Sequence, residues 1–153
     1  MSAGPRTLCT FWLDDICFGI DVLTVRGVIK QHDLAPVPLA PSMVSGLMNL
    51  RGQIITVVDL RRRIEMDDRR ADVEPMHIVV HSDDGLVSLT VDRIGDVVDV
   101  SDTAFETPPG TLTGAARHVI VGAHKLDDRL VLEIDTDRVL ASLRPVNREH
   151  ERG

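Results

Sequence analysis

The sequence predicts an all-β protein, because short segments in which apolar and polar residues alternate follow one another along most of the chain. Alternation with a period of two places successive side chains on opposite faces of a strand. Turn-forming pairs such as Asp14-Asp15 and Asp83-Asp84 separate many of these segments. Helical periodicity is confined to residues 60–64 and 135–143. We therefore expect strands joined by tight turns, with short helical turns and a short C-terminal helix.

The N-terminal part predicts a hairpin and a third strand. Residues 7–13 alternate, residues 17–22 return after the Asp14-Asp15 turn, and residues 25–29 form a further apolar segment. Three prolines follow within residues 34–41, and each removes a backbone N–H donor. We expect this proline-containing stretch to be an extended connector or a sheet edge.

A second hairpin is predicted at residues 46–59, with its turn at Arg51-Gly52. Gly52 suits a turn position that requires a positive φ. Arg51 would be presented outward at the tip of this hairpin. A binding residue and an ordinary exposed turn arginine are both open interpretations of Arg51.

A short helix is predicted directly after this hairpin, since Asp59 can cap it. Arg61, Arg62 and Arg63 follow one another in the helix. We interpret these arginines as a solvated helix face, and a basic binding patch is the alternative. The charged residues 67–75 lack periodicity and predict a long loop.

The second half of the chain repeats this style. Its predicted strands are residues 76–80, 86–91, 97–100, 119–123 and 130–134. Pro108-Pro109-Gly110 marks a loop, and the polar residues 144–153 predict a flexible tail.

Two internal matches indicate a duplicated β-unit. Residues 52–64 resemble residues 128–140 at an offset of 76 positions, and residues 19–28 resemble residues 88–97 at an offset of 69. Chance similarity between amphipathic strands is the alternative explanation. The shared order of the two matches favours duplication.

Charge and composition exclude several partner classes. The 153 residues include 17 lysines and arginines against 24 aspartates and glutamates, a net charge of −7. Nucleic acids and anionic membranes both require a basic footprint, so we expect no nucleic acid as a partner. No apolar run approaches the ~18 residues of a membrane span, so we expect no direct membrane insertion. Two cysteines cannot form a disulfide framework, which favours a cytoplasmic location.

Candidate catalytic and metal-binding groups are few. His77 and His81 lie on a predicted strand, where a rise of ~3.3 Å per residue separates their Cα atoms too far for one zinc ion. We expect partly exposed strand histidines, with a metal role as the alternative. Cys9 and Cys17 lie on adjacent predicted strands, where they could face one another. We expect buried, inert thiols, with a redox pair or a nucleophile as the alternative. No phosphate loop, dinucleotide fingerprint or nucleophile elbow appears, so we expect no enzyme, no metal and no cofactor.

A series of short motifs resembles the CheW family of chemotaxis coupling proteins. In chain order the motifs are Phe11-x-Leu13-Asp14, Phe18-Gly19-Ile20-Asp21, Val37-Pro38-x-x-Pro41, the long block from Val44 through Gly46-Leu47-Met48-Asn49-Leu50-Arg51-Gly52 to Asp59-Leu60, Val91-Asp92-Arg93-Ile94, and Leu126-x-Asp128-Arg129-Leu130. They extend over residues 8–143, and the Asn-Leu-Arg-Gly block is their most specific part.

The resemblance implies two small SH3-like five-stranded β-barrels packed together. They would form a single CheW-like domain at residues 1–143, made of two intertwined β-barrel subdomains with approximate halves 8–70 and 71–143. It also implies a non-catalytic adaptor that couples the cytoplasmic tip of a chemoreceptor to the regulatory domain of a CheA-type histidine kinase. The alternative is a CheW-like scaffold for surface motility or second-messenger control, without the standard kinase.

The resemblance further assigns candidate binding residues. An apolar groove between the barrels would hold the receptor helix hairpin, and Arg51 would lie near the receptor contact or hold its geometry. The groove-lining residues would be Val22, Val25, Val28 and Ile94. The kinase-facing residues would be Met43, Val44 and Leu47.

Three positions depart from the family pattern. Gly27 occupies a position where the family usually has glutamate, which removes a carboxylate beside Arg26. Thr56 replaces a common proline, and Ser88 replaces a common glycine. We therefore expect a divergent member of the family.

Overall fold

The computed structural model describes residues 6–30, 33–83, 85–101, 104–107 and 114–141. The elements in chain order are β1 (Thr7–Leu13), β2 (Ile16–Asp21), a 3-10 turn (Val22–Thr24), β3 (Val25–Ile29), β4 (Val44–Leu50), β5 (Gln53–Asp59), α1 (Leu60–Arg63), β6 (Met76–Ser82), β7 (Gly85–Val91), β8 (Arg93–Asp99), β9 (Ala104–Glu106), α2 (Gly114–Val119), β10 (Ile120–Lys125), β11 (Leu130–Ile134) and α3 (Thr136–Leu140). The all-β prediction is confirmed. The predicted loop at 108–110 and the predicted tail at 144–153 lie outside the described residues.

The strands form two sheets, which are the two small SH3-like barrels that the resemblance implies. One sheet has six strands rather than five, in the order β8-β1-β2-β11-β10-β9, because the short β9 extends its edge. The other has five strands, in the order β3-β6-β7-β5-β4. A bridge between Ala35 and Leu47 lays the proline-containing connector along β4, as expected for an edge segment.

The division at residue 70 does not separate the two sheets. The six-stranded sheet combines β1 and β2 with β8–β11, whereas the five-stranded sheet contains β3–β7. The chain leaves the first sheet at the Val22–Thr24 turn, since β3 pairs with β6, and it returns after β7, since β8 pairs with β1. Each half of the chain therefore contributes strands to both sheets.

The two sheets have equivalent strand orders, as a duplicated unit predicts. The β1–β2 hairpin corresponds to the β6–β7 hairpin, β3 corresponds to β8, and β4–β5–α1 corresponds to β10–β11–α3. Asp59 and Asp135 are equivalent caps, because each carboxylate accepts a hydrogen bond from the backbone N–H two residues later, at 3.0 and 2.8 Å respectively. The pairing of β3 and that of β8 are each interrupted by a β-bulge at the equivalent place.

The largest hydrophobic cluster, which we call the inter-sheet cluster, contains residues of both sheets and all three helices. The stacked rings of Phe11 and Phe18 lie in it, with their centroids 5.7 Å apart. Cys17 is buried in a separate cluster with Leu8 and Val131, whereas Cys9 packs against the inter-sheet cluster. The cysteines therefore do not face one another, because their strands place them on opposite faces of the sheet. Burial raises the pKa of both thiols, as inert cysteines require.

None of the helices in the described part of the chain has the length and apolar composition needed to span a bilayer.

Candidate functional site

The apolar residues assigned to a receptor groove lie on or beside edge strands β3 and β8. Val22 lies in the 3-10 turn that leads into β3. Val25 on β3 and Ile94 on β8 both pack against the inter-sheet cluster. Val28 is 46% exposed at the edge of the sheet. The structure therefore places Val25 and Ile94 at one cluster and leaves Val28 accessible to a partner.

Two exposed apolar residues extend these edges and were missed by the sequence analysis. Val97 on β8 is 57% exposed, and Leu23 in the turn before β3 is 78% exposed. Val97 lies 69 positions after Val28, which is the offset of the internal repeat. The repeat was therefore the signal that could have identified Val97.

The bulge in β3 determines how Arg26 and Gly27 are presented. Val25 pairs with Val80 and Gly27 pairs with Val79, so Arg26 is the extra residue of the bulge. The Arg26 guanidinium donates to the carbonyl oxygen of Leu23 at 2.8 Å. A Cβ atom at Gly27 would meet no atom within 4 Å, so packing does not require glycine there.

The residues assigned to the kinase contact lie at the start of β4. Met43 packs against the inter-sheet cluster, and its carbonyl oxygen accepts a hydrogen bond from the Asp59 N–H at 2.8 Å. Val44 and Leu47 are half-buried and pair with β5. Ile54 on β5, which the sequence analysis missed, is 59% exposed.

Leu47 and Ile54 lie on the same face of the β4–β5 hairpin. Leu47 is paired with Thr56. Two residues nearer the hairpin turn on each strand, Asn49 is paired with Ile54. Side chains two residues apart share a face of a sheet. Ile54 therefore extends the apolar surface around Leu47 toward the hairpin turn.

Gly46 fixes the connector against this surface. A Cβ atom at Gly46 would lie 2.6 Å from the carbonyl oxygen of Ala35, which no side chain tolerates. Ala35 and Leu47 exchange two backbone hydrogen bonds of 2.8 Å. The glycine therefore allows the close approach that holds the connector beside β4.

Arg51 lies at the turn of the β4–β5 hairpin, as predicted. Gly52 has a φ of 86°, which confirms the expected positive value, and Arg51 also has a positive φ, 54°. Two such residues form the type I′ turn that suits a two-residue hairpin. The Gly52 N–H donates to Asn49 Oδ1 at 2.9 Å. Arg51 is exposed and forms no ion pair with the part of the chain that the structure describes.

Arg51 is not adjacent to Val28 in the order of strands, because β3 and β4 form opposite ends of the five-stranded order. It lies on the same hairpin as Val44, about 20 Å further along β4 at ~3.3 Å per residue. The candidate residues therefore form two groups, one on edge strands β3 and β8 and one on the β4–β5 hairpin.

The interpretation of three solvated arginines is wrong for Arg61, whose side chain is 4% exposed. Its Nε and Nη2 donate to the two carboxylate oxygens of Asp92 at 2.9 and 2.6 Å. Nη2 also contacts Asp14, and Nη1 donates to the carbonyl oxygen of Asp67 at 2.7 Å. Helix α1 is a single turn at the inter-sheet cluster, so consecutive side chains meet different surroundings.

Arg62 and Arg63 differ from Arg61. Arg62 is exposed, as predicted. Arg63 donates to the carbonyl oxygens of Val139 and Arg138, at 2.7 and 3.0 Å, and so binds the last turn of α3. Burial lowers the pKa of Arg63. These three arginines therefore form no common binding patch.

Asp92 is the centre of the charged network around Arg61. Arg69 donates to Asp92 Oδ1 at 2.8 Å, and the backbone N–H of Asp14 donates to Oδ2 at 2.8 Å. Burial alone would raise the pKa of Asp92, but the hydrogen bonds from Arg61, from the Asp14 backbone and from Arg69 outweigh it and lower the pKa to about 2. The network joins α1, the loop after it, the β1–β2 turn and the β7–β8 turn.

The histidines of β6 lie in different surroundings. His77 is buried rather than partly exposed, and its Nδ1 lies 3.1 Å from the hydroxyl oxygen of Thr90. His81 is exposed near the end of the same strand. Among the described residues, no three histidine, cysteine, aspartate or glutamate side chains are grouped so that they could hold a metal ion.

Comparisons with known proteins agree over nearly the whole chain. A family model described as the CheW-like domain matches residues 7–144. The chain is 27% identical over 139 residues to the chemotaxis protein CheW of Treponema pallidum, which covers 88% of this chain and 82% of that protein. It is 28% identical over 142 residues to the chemotaxis protein CheW of Rhizobium meliloti, with coverages of 93% and 92%.

A solved structure is similar as well. The scaffolding protein TtCheW from Thermoanaerobacter tengcongensis matches with a TM-score of 0.76 at 28% identity, covering 86% of this chain and 89% of that one. The two equivalent barrels, the motif series and the family model therefore agree. This chain belongs to the CheW-like family.

Proposed function

We propose that this chain is a non-catalytic adaptor of a bacterial chemosensory array. In this role it couples the cytoplasmic tips of chemoreceptors to the regulatory domain of a CheA-type histidine kinase in the cytoplasm. The observation that carries the proposal is a CheW-like domain over residues 7–144 that presents partly or fully exposed apolar residues at two places, along edge strands β3 and β8 and on the β4–β5 hairpin. An adaptor needs two such surfaces on one body.

The edge strands β3 and β8 are the proposed receptor surface, with Val22, Val25, Val28 and Ile94 as its contacts. Val25 and Ile94 border the inter-sheet cluster, and Val28 is 46% exposed. An apolar border that continues a buried core suits the apolar face of a receptor helix. Arg51 lies on the other group's hairpin, at the turn end away from Val44, and is proposed as a further receptor contact outside the β3 and β8 edges, since it is exposed and held in a rigid turn.

The start of the β4–β5 hairpin is the proposed kinase surface. Met43, Val44 and Leu47 are partly accessible, and Ile54 extends the patch that they form. The hairpin end and the connector are fixed together at Gly46, so the patch is pre-organised. Pre-organisation lowers the entropy cost of binding a partner domain.

A reconstituted complex tests the proposal. The purified chain is mixed with a soluble receptor cytoplasmic fragment and with the regulatory domain of a CheA-type kinase, both encoded in the same genome, and the complexes are separated by size-exclusion chromatography. We expect each pair to form, and we expect a ternary complex from the three components. Binding of the receptor fragment without the kinase domain would favour a scaffold for another pathway, and binding of neither would contradict the proposal.

A further inference from the structure

We propose that the receptor segment bound at β3 presents carboxylates, which Arg26 and Lys30 select. This inference rests on the proposed function and adds the chemistry of the partner. The surface concerned, which we call the β3 edge, consists of Leu23, Arg26, Val28 and Lys30. It combines two exposed apolar side chains with two exposed cations.

The cations of the β3 edge are not neutralised within the described part of the chain. Neither Arg26 nor Lys30 forms a salt bridge there. Arg26 is anchored through Nη1 on the carbonyl oxygens of Leu23 and Val25, and its Nε and Nη2 donate to no group in the described part of the chain. Asp21, the acidic residue before this turn, accepts the Leu23 N–H through Oδ1 at 2.9 Å and forms no salt bridge with Arg26 or Lys30. A chain of net charge −7 thus presents an uncompensated cationic edge.

The internal repeat provides a comparison. Strand β8 carries Val97 at the position of Val28, but it has Asp96 at the position of Gly27 and Asp99 at the position of Lys30. The two edges therefore share a backbone arrangement and an exposed valine, and they differ in the sign of their charge. Because rim charges determine partner choice more than total affinity, the β3 edge favours an acidic segment.

The bulge at Arg26 determines how such a segment binds. An interrupted edge is a poor template for the addition of another strand, so the partner docks through side chains. Lys30 directly follows the last residue of β3, two residues after Val28, which corresponds to about 7 Å at strand spacing. Residues three or four apart on a helix are separated by ~5–6 Å, which is close to this spacing. A helix that places an apolar residue over Val28 would therefore place a carboxylate one turn away near Lys30.

Charge variants of the β3 edge test this inference. Gly27→Glu places a carboxylate beside Arg26, and open space surrounds that position. Lys30→Glu reverses a cation, and Lys125→Glu makes the same change at the chain's other lysine, which is exposed on β10 and serves as the control. The probe is a soluble helical-hairpin fragment of a chemoreceptor from the same genome, titrated by calorimetry at 20 and 300 mM salt.

We expect Gly27→Glu and Lys30→Glu to weaken binding at least fivefold at low salt and less at high salt, because salt screens the repulsion. Lys125→Glu should bind like the wild type. Replacing the glutamates and aspartates of the fragment one at a time by glutamine or asparagine should identify one carboxylate whose loss removes the effect of Lys30→Glu.

Two results would overturn the inference in different ways. In the first result, the wild type and both charge variants bind the fragment normally, whereas Val28→Asp does not bind it. The receptor surface would then be supported, and the carboxylate requirement would be wrong. If the wild type itself does not bind the fragment, the proposed function fails together with this inference.

Discussion

Arg61 and Asp92, which are 31 positions apart in the sequence, are joined by two hydrogen bonds of 2.9 and 2.6 Å between their charged groups. Their side chains are only 4% and 7% exposed. Arg61 lies in α1, after the last strand of the β4–β5 hairpin, and Asp92 lies where the chain returns to the six-stranded sheet. The pair therefore joins the β4–β5 hairpin to the place where the chain crosses between the sheets.

Asp92→Asn should destabilise the protein by about 3–5 kcal/mol, because it leaves the buried Arg61 without its main counter-charge. The free energy of unfolding in urea measures the loss. Arg62→Ala, at the exposed neighbour in the same helix, is the control and should change stability by less than about 0.5 kcal/mol. Equal stabilities of the two variants would show that the network contributes nothing.

The same carboxylate predicts a stability change at acidic pH. The pKa of Asp92 is about 2 in the folded protein against an ordinary value of 3.8. Because its pKa is lower in the folded protein, Asp92 stabilises the folded state at pH values above its ordinary pKa. This contribution of about 2 kcal/mol is lost as the pH falls from about 4 to 2. Urea unfolding of wild type and Asp92→Asn across this range should show a steeper decline in the wild type. If the stabilities of the two proteins fall in parallel, the lowered pKa of Asp92 is contradicted.

Ser88→Ala should stabilise the protein by about 1 kcal/mol. Ser88 is fully buried, and its hydroxyl has no hydrogen-bond partner among the described residues. Removing an unsatisfied buried hydroxyl relieves a desolvation cost. Ser82→Ala is the matched variant, and it should be destabilising, because the Ser82 hydroxyl donates to the Gly85 carbonyl oxygen at 2.9 Å. Thermal melts compare the two, and a lower melting temperature for Ser88→Ala would refute the prediction.

Arg51→Glu should leave the melting temperature unchanged and reduce receptor-stimulated kinase activity. Arg51 is exposed and has no ion-pair partner in the described chain, so its charge matters only to a partner. Arg70→Glu is a suitable control, because Arg70 is exposed and its ion pair within the described residues is with the nearby Asp72. Unaltered stimulation in Arg51→Glu would make Arg51 an ordinary turn residue.

Local features of the fold were predictable from the sequence. The turn at Arg51-Gly52 and the cap at Asp59 depend on a few adjacent residues, and both are confirmed. The loop at 67–75 follows from its charge and lack of periodicity. Helix α2 was missed, because six residues are too few to establish a helical period.

Features that depend on the arrangement of the sheets were not predictable. Arg61 resembles its neighbours in sequence, and its burial follows only from the position of α1 beside the β7–β8 turn. The surroundings of Cys9 and Cys17 depend on strand register in the same way. The exchange of strands between the halves requires β3 to pair with β6, which no local pattern specifies. Contact of the candidate site residues with partners stays a prediction.

The proposed separation of a receptor surface from a kinase surface is tested most directly by one reconstitution, in which Val28→Asp and Leu47→Asp are compared with the wild type. Each variant is titrated against the receptor fragment and against the kinase regulatory domain, and its melting temperature shows whether it is folded. We predict that Val28→Asp loses receptor binding and keeps kinase binding, and that Leu47→Asp does the reverse. Loss of the same partner by both folded variants, or unfolding of Val28→Asp, would contradict the account of two separate surfaces.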